Sequence, residues 1–447
     1  MADIRRYMRG QIIQLVWPSI FEGFGIMLVG VGTTAMVGQL GAVSLSAVGL
    51  AMLVQMATAI IFAAAGTGAA ALVARSVGAK NWEQAQLVTG QAVLIGMGLG
   101  VVLAIGGYWL APGAVALTGS EPEITALASQ LLAITFVFIP FFLVMSVCNN
   151  ILRVMGKTRT VFYLNTINNI LALAVSYMLI FGVGLPNLGA YGAAWGMAAS
   201  HLTGGVTSLA ALALQPELRL RPRHILRYHA RTIVAILQIS VPAALEQLAM
   251  QGGRIVFTFM LASAGTVQFA AHQIATQVES ISFMPGFAFG IAAMAMAGQN
   301  LGRGLPHRAV QYVAITNKLA VVSMSGMSVL FIVFAADLSG LFISDKEVIE
   351  WAAWCVMLAA LEQPTLALTF VYSGALRGAG DTTWPFYITT LGMWGFRMPL
   401  VYLFIVVWQF PIPWAWGITA VDYVVRAVFF YRRFQGRQWM RSGKLLP

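Results

Sequence analysis

Twelve apolar runs long enough to cross a bilayer divide this chain, and no other feature restricts its fold as severely. They lie near 12–38, 45–74, 87–111, 124–147, 161–183 and 190–213. After one polar stretch they resume near 233–261, 268–297, 309–336, 348–373, 384–408 and 412–431. A helix needs about 20 apolar residues to cross the hydrocarbon core. No water is available there, so each segment must satisfy its own backbone N–H and C=O groups, which runs of this length do as helices. The predicted fold class is an all-α polytopic membrane protein with twelve transmembrane helices. Only 9% of the 447 residues are charged, against about 25% in soluble domains, so a water-soluble globule is excluded.

The charges that remain are sorted by loop. Twenty-one of the 26 Lys and Arg residues fall on one side. They cluster at Arg5/Arg6/Arg9, Arg75/Lys80, Arg153/Lys157/Arg159, Arg219/Arg221/Arg223/Arg227/Arg231, Arg303/Arg308, Arg377 and Arg432/Arg433/Arg437/Arg441/Lys444. The opposite loops hold Lys346 beside Glu121, Glu123, Asp337, Asp345 and Glu347. The Lys/Arg bias marks the cytoplasmic side, which predicts a cytoplasmic (inner) membrane protein with both termini in the cytoplasm. The same distribution argues against a nucleic-acid partner, because the basic residues serve as topology signals. The apolar start after MADIRRYMRG mimics a signal peptide. Pro18 and Glu22 interrupt it and no small-residue cleavage site closes it, so an uncleaved first span is expected. Cys148 and Cys355 lie inside apolar runs, where a structural disulfide is not expected.

The chain is also written twice. ILRVMGKTRTVFYLNT at 151–166 returns as ALRGAGDTTWPFYITT at 375–390, with Arg153/Arg377, Gly156/Gly380, Thr158/Thr382, Phe162/Phe386 and Tyr163/Tyr387 all 224 residues apart. The same offset pairs Pro18/Pro242, Glu22/Glu246, Gly66/Gly290, Gly78/Gly302, Ser120/Ser344, Glu123/Glu347 and Pro140/Pro364. Internal repeats define architecture. Six spans per unit give both units the same orientation, so the repeats are parallel and a site between them near the midplane is expected. The predicted domains are a six-helix lobe over 1–214, a cytoplasmic linker over 215–232 and a second six-helix lobe over 233–447. Each copy of the repeated motif becomes the cytoplasmic loop after the fourth helix of its lobe. Its arginine serves either as a topology anchor or at a helix end that moves during transport.

The stretches WPSIFEGFGIMLVGVGTTAMVGQLGAVSLSAVGLA, LIFGVGLPNLGAYGAAWG, AAHQIATQVESISFMPGFAFGIAA and GALRGAGDT, in this order and spacing, resemble the bacterial type of the MATE (multidrug and toxic compound extrusion) family. The resemblance covers nearly the whole chain. It implies two six-helix lobes forming a V, and a secondary antiporter that exports lipophilic cationic drugs and toxic compounds in exchange for protons or sodium ions. It implies no cofactor, no enzymatic activity and no fixed metal beyond transient sodium, and a monomer is expected.

Intramembrane charges are the natural site candidates. At 1.5 Å rise per residue, Glu246 lies about 20 Å along span 7, Glu279 about 17 Å along span 8 and Glu362 about 21 Å along span 10. All three are near mid-membrane, and Glu22 sits at a similar depth in span 1. The cations of the second lobe are Arg254, Arg397 and Arg426. Asp422 and Arg426, four residues apart, form an expected structural pair. Arg254 is a candidate partner for Glu279, and Arg397 for Glu362 or Glu246. Four carboxylates against three arginines leave one acid without a fixed cation, and such a group can exchange a proton or metal ion for a cationic drug. Glu246 is the leading candidate, followed by Glu362, Glu279 and Glu22. For each, a packing residue bonded to neighbouring helices is the alternative.

The departures from the family pattern point to the same lobe. Many members carry an aspartate in span 1 before T-x-M-V-G, where this chain has Thr33. Many carry an acid or asparagine before LIFG, where it has Ser176. Glu279 and Glu362 correspond in the repeat to Gln55 and Phe138. Coupling is therefore expected in the second half, although members with acids in spans 7 and 10 place them one turn further along than Glu246 and Glu362. In the first half Asn165, Asn168, Asn169 and His201 are read as helix–helix hydrogen-bonding groups. The small-residue run AAAGTGAAA lacks the Gly-Lys-Ser/Thr ending of a phosphate loop, which excludes ATP-driven transport by this chain. A flippase or exporter of lipid-linked or other amphipathic metabolites is the alternative within the superfamily. Those relatives typically have fourteen spans and a basic cavity, unlike the twelve spans and surplus acids here.

Overall fold

The computed structural model describes residues 2–116, 119–221, 224–225 and 227–440. Arg223, Arg441 and Lys444, counted above among the basic loop residues, lie outside the described residues. The described residues contain helices and no strand. The first half comprises α1 (Ala2–Gly38), α2 (Ala42–Ala63), α3 (Ala65–Gly78), α4 (Trp82–Ala116), α5 (Pro122–Val137), α6 (Ile139–Val154), α7 (Thr158–Phe181) and α8 (Ala190–Ala213). The second comprises α9 (Ala230–Ala262), α10 (Thr266–Gly302), α11 (Pro306–Val333), the short α12 (Ala335–Gly340), α13 (Lys346–Gly378), α14 (Thr383–Thr390), α15 (Met398–Val401) and α16 (Pro413–Gln435). Wide π-type turns at Leu391–Arg397 and Tyr402–Val407 flank α15 and complete the eleventh span.

All twelve expected runs are helical. Among the described residues, nine helices are long and apolar enough to cross a membrane, and α5 with α6, bent by 52° at their junction, makes a tenth. The bend falls at Pro140, the second residue of α6, where a proline is tolerated because a first-turn N–H has no helical partner. The two remaining runs, α8 and α16, fall short of that composition. Gly, Ser, Thr and His dilute α8, while α16 carries Asp422 and Arg426 inside the protein. Charges and small residues that face neighbouring helices lower hydropathy without altering the span.

By packing, the chain divides into two compact units: one of Pro18–Ala244, the other of the chain up to Trp17 and from Leu245 onward. In the first unit, a core of Val48, Ala51, Leu131, Leu132, Ile139 and Ile180 joins α2, α5, α6 and α7. The described linker residues are docked onto this unit. Gln91 of α4, wholly buried, donates from Nε2 to the carbonyls of His224 (3.0 Å) and Arg227 (2.8 Å) and accepts from the His229 N–H (3.0 Å). Ser240 of α9 closes against α3 by donating to the Ala65 carbonyl at 2.6 Å.

In the second unit, α10 packs closely on α13, and Val278, Phe331, Val356, Ala359, Val401 and Trp416 form the core. Asp345 caps α13 by accepting from the Glu347 N–H at 2.9 Å, which satisfies one of the unpaired donors of a helix start. The repeated motif is a helix terminator in both units. Gly156 and Gly380 take φ of 89° and 80°, and the next residues, Lys157 and Asp381, donate back to the carbonyls of Leu152 and Leu376 at 2.9 Å. That left-handed turn is the glycine-dependent end of α6 and α13. Cys148 and Cys355 are free and buried.

Candidate functional site

The acids of the membrane-spanning segments fall into three groups. Glu22 and Glu246 each meet an arginine that sequence reading had set aside as a loop residue. Arg153 donates to Glu22 Oε1 at 2.5 Å and Arg377 to Glu246 Oε1 at 2.8 Å. A second donor completes each pair: Asn165 Nδ2 for Glu22 at 2.5 Å and Thr389 Oγ1 for Glu246 at 3.0 Å. Both acids are buried. Counting only the arginines inside the spans had left Glu246 as the most promising unpaired acid. The guanidinium of Arg377, reaching back from the last turn of α13, corrects that.

The second group is centred on Asp422 of α16, which is wholly buried. The expected i,i+4 pair is present, with Arg426 Nε on Oδ1 at 2.8 Å and Nη2 on Oδ2 at 2.5 Å. Arg397 joins it, its Nε donating to Oδ2 at 2.8 Å. Sequence reading had offered Arg397 to Glu362 or Glu246; the structure gives its ion pair to Asp422 instead. The π-type turn at Leu391–Arg397 aims that side chain, consistent with the frequent use of such turns at functional sites. Tyr423 lies beneath both cations, 4.9 Å from Arg397 and 5.5 Å from Arg426 by ring centroid. It was missed in the sequence, where its place beside Asp422 was the sole signal. Gly392 makes the cluster possible: a Cβ there would stand 2.4 Å from Arg426 Nε and 2.6 Å from Asp422 Oδ1.

Glu362 and Glu279 form the third group. Glu362 of α13 is 0% exposed, and neither of its oxygens receives a hydrogen bond. The half-buried Glu279 of α10 lies within hydrogen-bonding reach of it, with Arg397 and Asp422 as the next charges around it. Two carboxylates offer only acceptors, so their contact becomes a bond only with a proton or a cation between them. The suggested Arg254–Glu279 pair does not form: Arg254 is exposed, and no ion pair joins the two. Arg397 and Arg426 share Asp422, and Arg397 and Asp422 are also the charges next to Glu362 and its neighbour Glu279, so two arginines and three carboxyls are linked in one cluster. With every group charged, the cluster carries one surplus negative charge.

Among the described residues, the first lobe has no counterpart to this cluster. Thr33 and Ser176 are buried, and Ser176 packs so closely on α8 that a Cβ on Gly196 would stand 2.0 Å from its hydroxyl. Asn165 and Asn168 bond to neighbouring helices: Asn165 accepts from Asn149 at 3.1 Å and Asn168 from Thr203 at 3.2 Å. His201 packs on Phe142. Among the described residues, no group of three or more His, Cys, Asp and Glu has a metal-holding arrangement.

A chain written in two halves is also what comparison with known proteins finds. The MatE family model matches residues 18–178 and again 242–403, so the two matches begin at the repeat-equivalent Pro18 and Pro242. The chain belongs to the MatE family. A probable multidrug resistance protein NorM of Thermotoga maritima is 27% identical over 98% of this chain and 94% of its own length. An FAD transporter of Shewanella oneidensis is 26% identical over 82% of this chain and 81% of its own length. Among solved structures, an outward-facing multidrug resistance MATE family transporter of the MOP superfamily superposes with a TM-score of 0.89. It is 18% identical and covers 97% of this chain and 96% of its own. The fold and family of this MatE protein are those of multi-pass membrane transporters, not enzymes.

Proposed function

We propose that this MatE protein is a secondary antiporter of the cytoplasmic membrane, with both termini inside, that exports lipophilic organic cations in exchange for protons or sodium ions. Glu362 and Glu279 of the second lobe are its coupling carboxyls. The observation that carries this reading is the state of Glu362: it is fully buried and its oxygens have no donor, while Glu22, Glu246, Asp381 and Asp422 each have an arginine. A buried carboxylate without a partner is costly to keep charged. A proton or sodium ion bound between Glu362 and Glu279 removes the surplus charge of the cluster; its departure restores that charge and favours a cationic ligand nearby. Loading from outside and displacement by drug inside then couple the two fluxes. The aromatic and Met content, 26 Phe, 12 Trp, 12 Tyr and 22 Met, suits varied lipophilic cations.

The test is transport of a fluorescent organic cation by purified protein in proteoliposomes, with a proton or a sodium gradient imposed separately. One of the two gradients is expected to drive uphill export. Glu362→Gln, which keeps size but fixes the neutral state, is expected to abolish it while drug binding persists. Normal gradient-driven export by the folded Glu362→Gln variant refutes this assignment.

A further inference from the structure

The Glu22–Arg153 and Glu246–Arg377 pairs share one register. In both lobes the acid and the arginine are 131 residues apart, and the acid and its second donor 143 apart. The second donor changes chemistry, an amide in one lobe and a hydroxyl in the other, while its place on the fifth span of the lobe is kept. Each cluster therefore ties together the first, fourth and fifth spans of its lobe. In the first lobe the ties extend further: Ser208 of α8 donates to Asn149 at 3.0 Å, and Asn149 donates to Asn165.

Both acids follow a proline by four residues, on the same helix face, Pro18 in α1 and Pro242 in α9. A proline inside a helix removes one ladder bond and presses on the carbonyl one turn earlier, so it is the point where a helix bends most readily. The division of the chain falls at the same places. One compact unit ends at Trp17 and the other begins at Pro18; the second change, between Ala244 and Leu245, comes two residues past Pro242. Beyond each proline the helix ladder alone does not fix where the helix lies.

We propose that Arg153 and Arg377 are positioning residues for transport. Each reaches back from the end of its lobe's fourth span and clamps the acid one turn past the proline of the first span, so that Glu22 and Glu246 are anchors and not carriers of the coupling ion. A guanidinium does not give up its proton in a protein, so each acid already holds a permanent counter-charge. Releasing it to bind a transported cation would strand a partly buried arginine. The lone Arg in the repeated motif, which a topology signal alone does not require at that register, has this role in both lobes. The assignment does not depend on whether Glu362 or Glu279 carries the coupling ion.

The test uses the full chain in proteoliposomes and four variants: Glu246→Gln, Arg377→Gln, the double variant carrying both, and Glu362→Gln as a reference. The maximal transport rate per folded molecule, the drug KM and the half-saturating concentration of the coupling cation are measured for each. Each single clamp variant is expected to lose about tenfold in maximal rate, because one buried charge is left uncompensated. The half-saturating cation concentration stays within about twofold of wild type, since the ion site itself is intact. The double variant, with neither charge, is expected to exceed both singles, the non-additivity that marks a directly coupled pair. Wild-type rates in both singles overturn the proposal. So does loss of cation dependence in Glu246→Gln with retention in Arg377→Gln, because that pattern belongs to a carrier. If the double variant does not fold, amide hydrogen exchange of Arg377→Gln decides. Faster exchange in the residues after Pro242 supports the clamp, and unchanged exchange there overturns it.

Discussion

Neutralising Asp422 and neutralising Glu362 are expected to have opposite consequences, although both carboxyls are 0% exposed. Asp422 accepts from Arg397 Nε at 2.8 Å and from Arg426 Nε at 2.8 Å. Asp422→Asn leaves two guanidiniums facing a neutral amide in the protein interior. Removing one partner of a buried pair costs about 3–5 kcal/mol, and a shared acid places this variant at the upper end. For a cooperative unit of about 200 residues, roughly 2–4 °C per kcal/mol converts that upper end to a melting temperature lower by roughly 10–20 °C. Glu362 has no donor to lose. Glu362→Gln supplies an N–H that Glu279 can accept, so its stability is expected to stay within about 1 kcal/mol of wild type. Thermal unfolding of the two purified variants in the same detergent, followed by tryptophan fluorescence, separates the cases, and the transport assay shows whether the stable variant has lost coupling. If Glu362→Gln melts as far below wild type as Asp422→Asn does, Glu362 is a structural partner of the arginine cluster. The charge-surplus reasoning then fails.

Gly392→Ala forces a methyl to within 2.4 Å of Arg426 Nε and is expected to destabilise by about 1–3 kcal/mol through overpacking, read in the same melting assay; an unchanged melt would refute the packing there. Gln91→Ala removes the three hydrogen bonds that hold the linker at His224, Arg227 and His229. Trypsin is expected to cut the linker arginines faster in that variant, and equal cutting would show that the docking does not protect the linker. For topology, cysteines placed at Ser120 and Ser344 are expected to react with an impermeant thiol reagent added outside intact cells, and one at Arg227 is not. The native Cys148 and Cys355 are buried and give little background, so labelling at Arg227→Cys would reverse the orientation.

The helical, membrane-spanning character of this chain was written in its sequence, because lipid leaves the backbone no alternative to satisfying itself within each span. The repeat was legible for a related reason. Prolines, glycines and lone charges are rare in apolar runs, so Pro18/Pro242 and Gly156/Gly380 stand out at a constant offset, and the turns at the two glycines match. The Asp422–Arg426 pair was also legible, since four residues on one helix fix two side chains on one face. The partners of Glu22 and Glu246 were not. They lie 131 residues away, and an arginine counted as a cytoplasmic anchor has a side chain long enough to turn back into its lobe. Span-by-span charge arithmetic therefore found a surplus acid and attached it first to Glu246. Only the packing of α10, α13 and α16 with the eleventh span decides that Arg397 goes to Asp422, that Arg254 is left out, and that Glu362, beside Glu279, is the fully buried carboxyl with no donor. Hydropathy and spacing set which helices exist. Which charges meet depends on how those helices are rotated and crossed, and rotation is settled by close packing at positions such as Gly392 and Gly196.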